Sequence, residues 1–214
     1  MAVLVTDPDL ETRLISERRN ADSDRFDEVW EGLYVMAPLP NDEHQDIQAR
    51  FVAAFQDGFG WDSPAKVRAG VNVSDRNEGW MENYRCPDVV VFFPGNKAIN
   101  HGAHWEGGPD FLIEIVSKGD RSPEKLPFYA KVGVREVLIV CRNPWSLELY
   151  EATGSPTEMR LKGTATPQDK MELRSSVVPL TFQLYPAATR PRIKVTLTAA
   201  RDGELAGART SWLV

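Results

Sequence analysis

The sequence contains few cysteines and histidines and no long apolar run. Among its 214 residues there are 2 cysteines and 3 histidines, and neither Cys86 nor Cys141 has neighbours at metal-ligand spacing. We therefore interpret both cysteines as buried free thiols rather than as disulfide partners or nucleophiles. No segment approaches the roughly 20 apolar residues that cross a bilayer, and the N-terminus lacks the regions of a signal peptide. These absences favour a cytoplasmic protein that does not contact the membrane.

An excess of positive charge is also absent. The chain has 25 Lys and Arg against 31 Asp and Glu, a formal net charge of −6, so the whole molecule does not attract phosphate backbones indiscriminately. A local basic face could still hold a substrate if a divalent cation offsets an acidic site. The candidate cations for such a face are Arg121, Lys125, Lys131 and Arg135. No glycine-rich phosphate loop, nucleophile elbow or zinc-ligand set occurs, which leaves kinase, α/β-hydrolase and zinc-enzyme readings without support.

What the sequence does contain is the composition of an ordinary globular protein, with 42% hydrophobic and 26% charged residues. This length suits one domain with appendages. We divide the chain into an N-terminal helical extension over residues 1–22, a main domain over residues 23–190 and a C-terminal tail over residues 191–214.

The first half of the chain shows clear local patterns. Two short β-type runs at residues 26–30 and 33–37 flank Glu31 and Gly32, which predicts a tight hairpin. Apolar positions recur at intervals of three and four over residues 42–59 and predict an amphipathic helix. Alternation over residues 67–73 predicts a half-buried strand.

Unbroken apolar runs then indicate a sheet that is buried on both faces. They cover residues 89–93 and 111–116, and a partly helical segment over residues 121–132 leads to a third run at 136–140. Later apolar positions, as far as Tyr185, predict antiparallel edge strands. The expected fold class is therefore α/β (α+β), with a mixed central β-sheet flanked by helices, and the two runs that carry acids are expected to be neighbouring strands.

Those two acids are the most informative residues. Asp88 heads the first buried strand and Glu114 lies within the next. A carboxylate within an apolar run is costly unless a cation pairs with it. Each acid alone is explained by a strand cap or a salt bridge, but the pair, together with the charged segment that follows, favours a divalent cation such as Mg²⁺.

Several segments in this order resemble the Uma endonuclease family, within the restriction-endonuclease-like PD-(D/E)XK superfamily. The similarity covers about residues 26–150. The segments that carry it are FDEVWEGLYVM at 26–36, EHQ at 43–45, RCPDVVV at 85–91, the glutamate strand at 108–117 and the helix and strand at 124–140.

The resemblance implies that Asp88 and Glu114 bind Mg²⁺, for which Mn²⁺ could substitute, and that a lysine acts on the scissile phosphate or the attacking water. The general superfamily pattern places that lysine two residues after the glutamate, where this chain has Val116. The Uma family places it on the next helix, which Lys125 matches. Lys118 is the alternative, although a solvated loop lysine is the simpler interpretation there.

Other candidates are less clearly assigned. Glu28 resembles an acidic position of the family and could complete the site, but a surface hairpin glutamate is the simpler interpretation. We interpret His44 as a residue of the first helical turn that makes a local hydrogen bond rather than as a catalytic base. His101 and His104 are interpreted as loop residues.

The resemblance implies hydrolysis of DNA phosphodiesters and is compatible with a homodimer; no membrane partner is expected. A catalytically silent nuclease fold that binds nucleic acid or protein is the alternative, since the net charge is acidic and the strand lysine is missing. A structural protein that assembles through the hairpin and C-terminal strands is a third hypothesis.

Overall fold

The protein folds into three sheets and three helices over the residues that the computed structural model describes, namely 3–5, 7–117, 120–198 and 210–214. The helices are α1 (Pro8–Asn20), α2 (Asp42–Phe59) and α3 (Leu126–Lys131), and 3₁₀ turns cover Trp80–Glu82 and Ser122–Lys125. None of the described helices is both long and apolar enough to cross a membrane.

A six-stranded mixed sheet forms the centre. Its strands are β4 (Lys66–Ala69), β7 (Val89–Phe92), β10 (Phe111–Ile115), β11 (Glu136–Arg142), β12 (Trp145–Ala152) and β13 (Met159–Ala165). They lie in the order β13-β12-β11-β10-β7-β4. The pair β10–β11 is parallel and the others are antiparallel. This arrangement confirms the expected mixed sheet with neighbouring acid-bearing strands.

Two other sheets flank the central one. The first has the order β1-β3-β2-β6-β5-β9-β8 and contains β1 (Val3–Leu4), β2 (Glu28–Trp30), β3 (Leu33–Met36), β5 (Val73–Ser74), β6 (Tyr84–Arg85), β8 (Ile99–Asn100) and β9 (Trp105–Glu106). The second is antiparallel and contains β14 (Glu172–Arg174), β15 (Leu180–Tyr185), β16 (Arg192–Leu197) and β17 (Ser211–Leu213). The expected hairpin is present as β2 and β3.

Side chains alternate between two cores on opposite faces of the central sheet. Ile113 and Ile115 of β10 pack with Phe51 and Phe55 of α2 and with the sheet of β14 to β17. Leu112 belongs to the other core, which includes α3, β5 and β9. The central sheet is therefore covered by one helix and one further sheet on each face. By the same alternation, Glu114 lies on the same face of the sheet as Leu112.

Two segments differ from the sequence predictions. The strand predicted over 67–73 ends at Ala69, because Gly70 adopts a positive φ of 58° that turns the chain away. The tail predicted from residue 191 contains two strands, because Ile193 and Val195 alternate towards the core and are fully buried. That alternation covers only two buried apolar residues, which is too few to predict a strand among the polar residues around them.

Candidate active site

Asp88 and Glu114 meet where strands β7 and β10 pair. The antiparallel register joins Val89 to Ile113, and continuing it by one residue places Asp88 opposite Glu114. Pro87 has no N–H with which to extend the ladder, and Oδ2 of Asp88 accepts the N–H of Ile115 at 2.6 Å. The two acids thus converge because of strand pairing, as the sequence predicted.

Lys125 brings a buried positive charge to these acids. It is the last residue of the 3₁₀ turn that leads into α3, so it precedes the helix rather than lying within it. Its Nζ donates to Oε1 and Oε2 of Glu114 at 3.1 and 3.2 Å. Burial disfavours the charge on Lys125, but Glu114 and Glu28 outweigh burial and raise its pKa.

Glu28 of β2 completes this cluster. Only 4% of the residue is exposed, so the surface hairpin interpretation is wrong. Its Oε1 lies 2.8 Å from Nζ of Lys125 and accepts the N–H of Cys86, also at 2.8 Å, and its Oε2 accepts Nε1 of Trp30 at 2.6 Å. A strand of the first sheet therefore supplies the third carboxylate.

The carboxyl group of Glu114 lies in a buried environment that contains other negative charges. Burial raises the pKa of its carboxyl group, Lys125 opposes this shift, and the negative charges of Asp88 and Glu28 add to it. The hydroxyl of Tyr129 donates to Oε1 of Glu114. Tyr129 is not among the residues predicted from the sequence, although its position four residues after Lys125 would place both side chains on one face of a helix.

His44 contacts Asp88 directly. Its Nε2 lies 2.7 Å from Oδ1 of Asp88, and its Nδ1 lies 3.3 Å from Oγ of Ser117. The residue is buried. The interpretation of a local bond was therefore wrong for the ring, because both ring contacts are distant in sequence, and only the backbone N–H bonds locally, to Oδ1 of Asn41 at 3.0 Å.

These groups line one cavity of about 70 Å³. Its acidic residues are Glu28, Asp88, Glu114 and Asp120, and its cationic ones are Lys125 and Arg121. Apolar groups complete the wall, namely Phe26, Trp30, Val35, Ala37, Pro38 and Pro40. Because Arg121 is already paired with Glu124, the cavity holds more negative than free positive charge.

The oxygen atoms fit a magnesium ion that retains water. Within the described ranges, no three His, Cys, Asp or Glu side chains are grouped to hold a metal ion. Magnesium, however, commonly uses one or two carboxylates, several waters and substrate phosphates. A carboxylate offers about four acceptor sites. In the described contacts Asp88 uses two, for His44 and Ile115, and Glu114 uses three, for Lys125 twice and Tyr129, so both retain acceptor capacity.

Other predicted residues lie elsewhere. The suggested basic face does not form. Lys125 is buried, and Nζ of Lys131 lies 2.7 Å from Oδ2 of Asp75, with both residues lining a separate cavity. His101 and His104 stack on each other, and His104 also stacks on Trp80, outside the site.

Two further predictions concern single residues. Both cysteines are free, Cys86 buried and Cys141 partly buried. Lys118 lies outside the described residues.

Comparisons with known proteins bear on the family and fold. A search of curated proteins finds no match. A crystal structure described as "a putative nuclease" from Anabaena variabilis ATCC 29413 is similar with a TM-score of 0.53 and 16% sequence identity, covering 71% of this chain and 83% of that chain. At this identity the similarity shows a shared fold. The model of the Uma2 family, described as "Putative restriction endonuclease", matches residues 12–187. The chain therefore belongs to the Uma2 family and has a restriction-endonuclease-like core.

Proposed function

We propose that this protein is a magnesium-dependent endonuclease that hydrolyses DNA phosphodiesters at the cavity between β2, β7 and β10. The observation that carries the proposal is the pair of opposed carboxylates, Asp88 and Glu114, beside a single buried lysine. Two acids brought together by strand pairing leave a site that attracts a divalent cation. Membership of the Uma2 family, described as "Putative restriction endonuclease", supports the same reaction class.

Asp88 and Glu114 would hold the ion through their remaining acceptor positions. Bound magnesium supplies positive charge against the phosphate and lowers the pKa of a water. Manganese, which accepts the same oxygen ligands, is expected to substitute.

Lys125 and Glu28 have complementary roles in this proposal. The Lys125 ammonium group stays charged between Glu28 and Glu114 and would stabilise negative charge on a phosphate oxygen near the acids. Glu28 also binds Lys125, so the position of the lysine does not depend on Glu114 alone.

The test combines metal binding and cleavage. Calorimetry with Mg²⁺ and Mn²⁺, and nicking of supercoiled plasmid, would compare wild type with the double variant Asp88→Asn, Glu114→Gln. We expect the double variant to lose both metal binding and nicking. A matched control is Asp46→Asn, Glu151→Gln, which removes two charges outside the cavity and is expected to retain both properties.

The outcomes separate the proposed function from its alternative. A folded wild-type protein that binds no divalent ion and cuts no DNA would overturn the proposal and favour a catalytically silent binding module. Nicking that survives in the double variant would show that another site is responsible. Gel filtration of the wild type, with and without DNA, tests the further expectation of a homodimer.

A further inference from the structure

We propose that His44 is a positioning residue for Asp88, and that Arg142 and Ser117 hold its ring in the orientation in which Nε2 donates to Asp88. This inference rests on the proposed function in one respect, namely that Asp88 is the residue whose position matters. The chain of contacts itself is independent of that function. It is called here the Arg142 relay and consists of Arg142, Ser117 and His44, ending on Asp88.

The relay begins at the end of β11. Nη2 of Arg142 donates to Oγ of Ser117 at 2.9 Å, and its Nε donates to the carbonyl oxygen of Val116 at 2.9 Å. Its Nη1 reaches Oδ1 of Asn41 at 3.0 Å and Oε2 of Glu43 at 3.1 Å. Only 10% of the Arg142 side chain is exposed. One guanidinium thus ties the ends of β10 and β11 to the beginning of α2.

The beginning of α2 in turn fixes the ring of His44. Asn41 caps the helix by accepting the N–H of His44 at 3.0 Å, and the same oxygen accepts Arg142. The ring is buried and contacts polar atoms at both nitrogens. Because neither nitrogen is left for a substrate, the geometry favours positioning of Asp88 over direct proton transfer.

For a neutral imidazole, the chemistry of Arg142 and Asp88 at the two ends of the relay sets the direction of every hydrogen bond. An arginine only donates and an ionised carboxylate only accepts. Ser117 therefore accepts from Arg142 and has its own hydroxyl hydrogen available for Nδ1 of His44. Nε2 of His44 then carries the hydrogen that it donates to Oδ1 of Asp88. All bonds of the relay point the same way, and they select the Nε2–H tautomer.

Asp88 is consequently held from two directions. Oδ1 is bound by His44 of α2 and Oδ2 by the backbone N–H of Ile115. These two bonds fix the plane of the carboxylate and the direction of its remaining acceptor positions. Partners of this kind typically change metal affinity or activity about 10- to 100-fold when they are removed.

The first experiment identifies the tautomer of His44 without any metal. Long-range ¹H–¹⁵N correlation spectra of labelled protein distinguish the two tautomers, and the spectrum of His44→Gln identifies the His44 signals among the 3 histidines. We expect Nε2–H in the wild type and in Ser117→Thr, which retains the hydroxyl group. Ser117→Ala should keep the Nε2–H tautomer, which Asp88 still requires, but should shift the ¹⁵N resonance of Nδ1 downfield because that nitrogen loses its donor. A wild type with hydrogen on Nδ1, or an Nδ1 resonance that is unchanged in Ser117→Ala, would overturn the relay.

The second experiment measures Mn²⁺ affinity by calorimetry. His44→Leu removes the donor to Asp88 and should weaken binding about 10- to 100-fold, whereas His44→Gln can still donate at the position of Nε2 and should bind several-fold more tightly than the leucine variant. Thermal unfolding of both variants separates loss of affinity from loss of folding. Wild-type affinity in a folded His44→Leu protein would contradict positioning. A wild type that binds no divalent ion would instead overturn the proposed function, and the tautomer experiment would still decide the relay.

Discussion

Nζ of Lys125 lies 2.8 Å from Oε1 of Glu28, which joins the turn before α3 to the first strand of the hairpin. The lysine side chain is 9% exposed and the glutamate side chain 5% exposed. The same ammonium group binds Glu114, so one cation compensates two buried carboxylates. Stability and the candidate chemistry therefore depend on the same side chain.

Replacing Lys125 with methionine should strongly destabilise the protein. Methionine fills similar space but leaves Glu28 and Glu114 without their cation, and breaking a buried pair costs about 3–5 kcal/mol. Urea unfolding followed by circular dichroism measures this change. The double variant Lys125→Met, Glu28→Gln removes one uncompensated charge and should recover part of the loss. If the second substitution gives no recovery, Glu28 and Lys125 are not energetically coupled.

Tyr129→Phe should reduce stability by a smaller amount. The substitution retains the buried ring but removes the hydroxyl group that donates to Glu114, and a hydrogen bond to a charged group contributes about 1.5–3 kcal/mol. Tyr150→Phe is a matched control, because the Tyr150 hydroxyl donates to Glu148 at 2.7 Å. Both residues are partly exposed and lie outside the cavity. Equal losses in the two variants would show that burial at Glu114 adds nothing to this bond.

Much of the fold follows from local sequence patterns. The 3.6-residue period and the flanking Asn41 and Gly60 define α2 with the predicted bounds of 42–59. The apolar runs define β7 and β10 because each is buried on both faces. Local patterns predict only part of the sheet of β14 to β17, namely the strands as far as Tyr185. The strand Arg192–Leu197 has no clear pattern, since it contains only two buried apolar residues, Ile193 and Val195.

The site was predictable to the extent that it depends on neighbouring strands. Asp88 and Glu114 stand out as acids in apolar contexts. Glu28 and His44 do not, since they lie on a polar hairpin and a helical turn whose burial depends on how the first sheet and α2 pack over the strand ends. Long-range packing of this kind has no local signal in one sequence.

Acid should weaken the ion pairs of Asp75 at the C-terminal end of α3. Burial alone would raise the pKa of Asp75, but hydrogen bonds from Arg76 and Lys131 outweigh burial and lower it to about 2 from 3.8. Because the folded-state pKa is depressed, the stabilisation is fully present above pH 4 and is lost as the pH falls towards 2. The partners are about half exposed, so we expect only about 1 kcal/mol.

Asp75→Asn provides the measurement. Wild type should be more stable than the variant in urea at pH 6, and the difference should shrink as the pH falls from 4 to 2. A difference that stays constant over this range would assign the effect of the substitution to packing rather than to charge.

Gly108→Ala should destabilise the packing of the loop before β10 against the turn that follows α3. A Cβ atom at this position would lie 2.7 Å from Cγ2 of Val134 and 3.0 Å from the carbonyl oxygen of Val132, and the Gly108 N–H already donates to that oxygen at 2.7 Å. Backbone cannot move aside as a side chain can, so a loss of about 1–3 kcal/mol is expected. In Gly163→Ala the new atom meets only Cδ2 of Leu173, at 3.0 Å, and that side chain can rotate. Thermal unfolding should therefore show a larger loss for Gly108→Ala than for Gly163→Ala, and the reverse order would mean that the loop before β10 yields more readily than the Leu173 side chain.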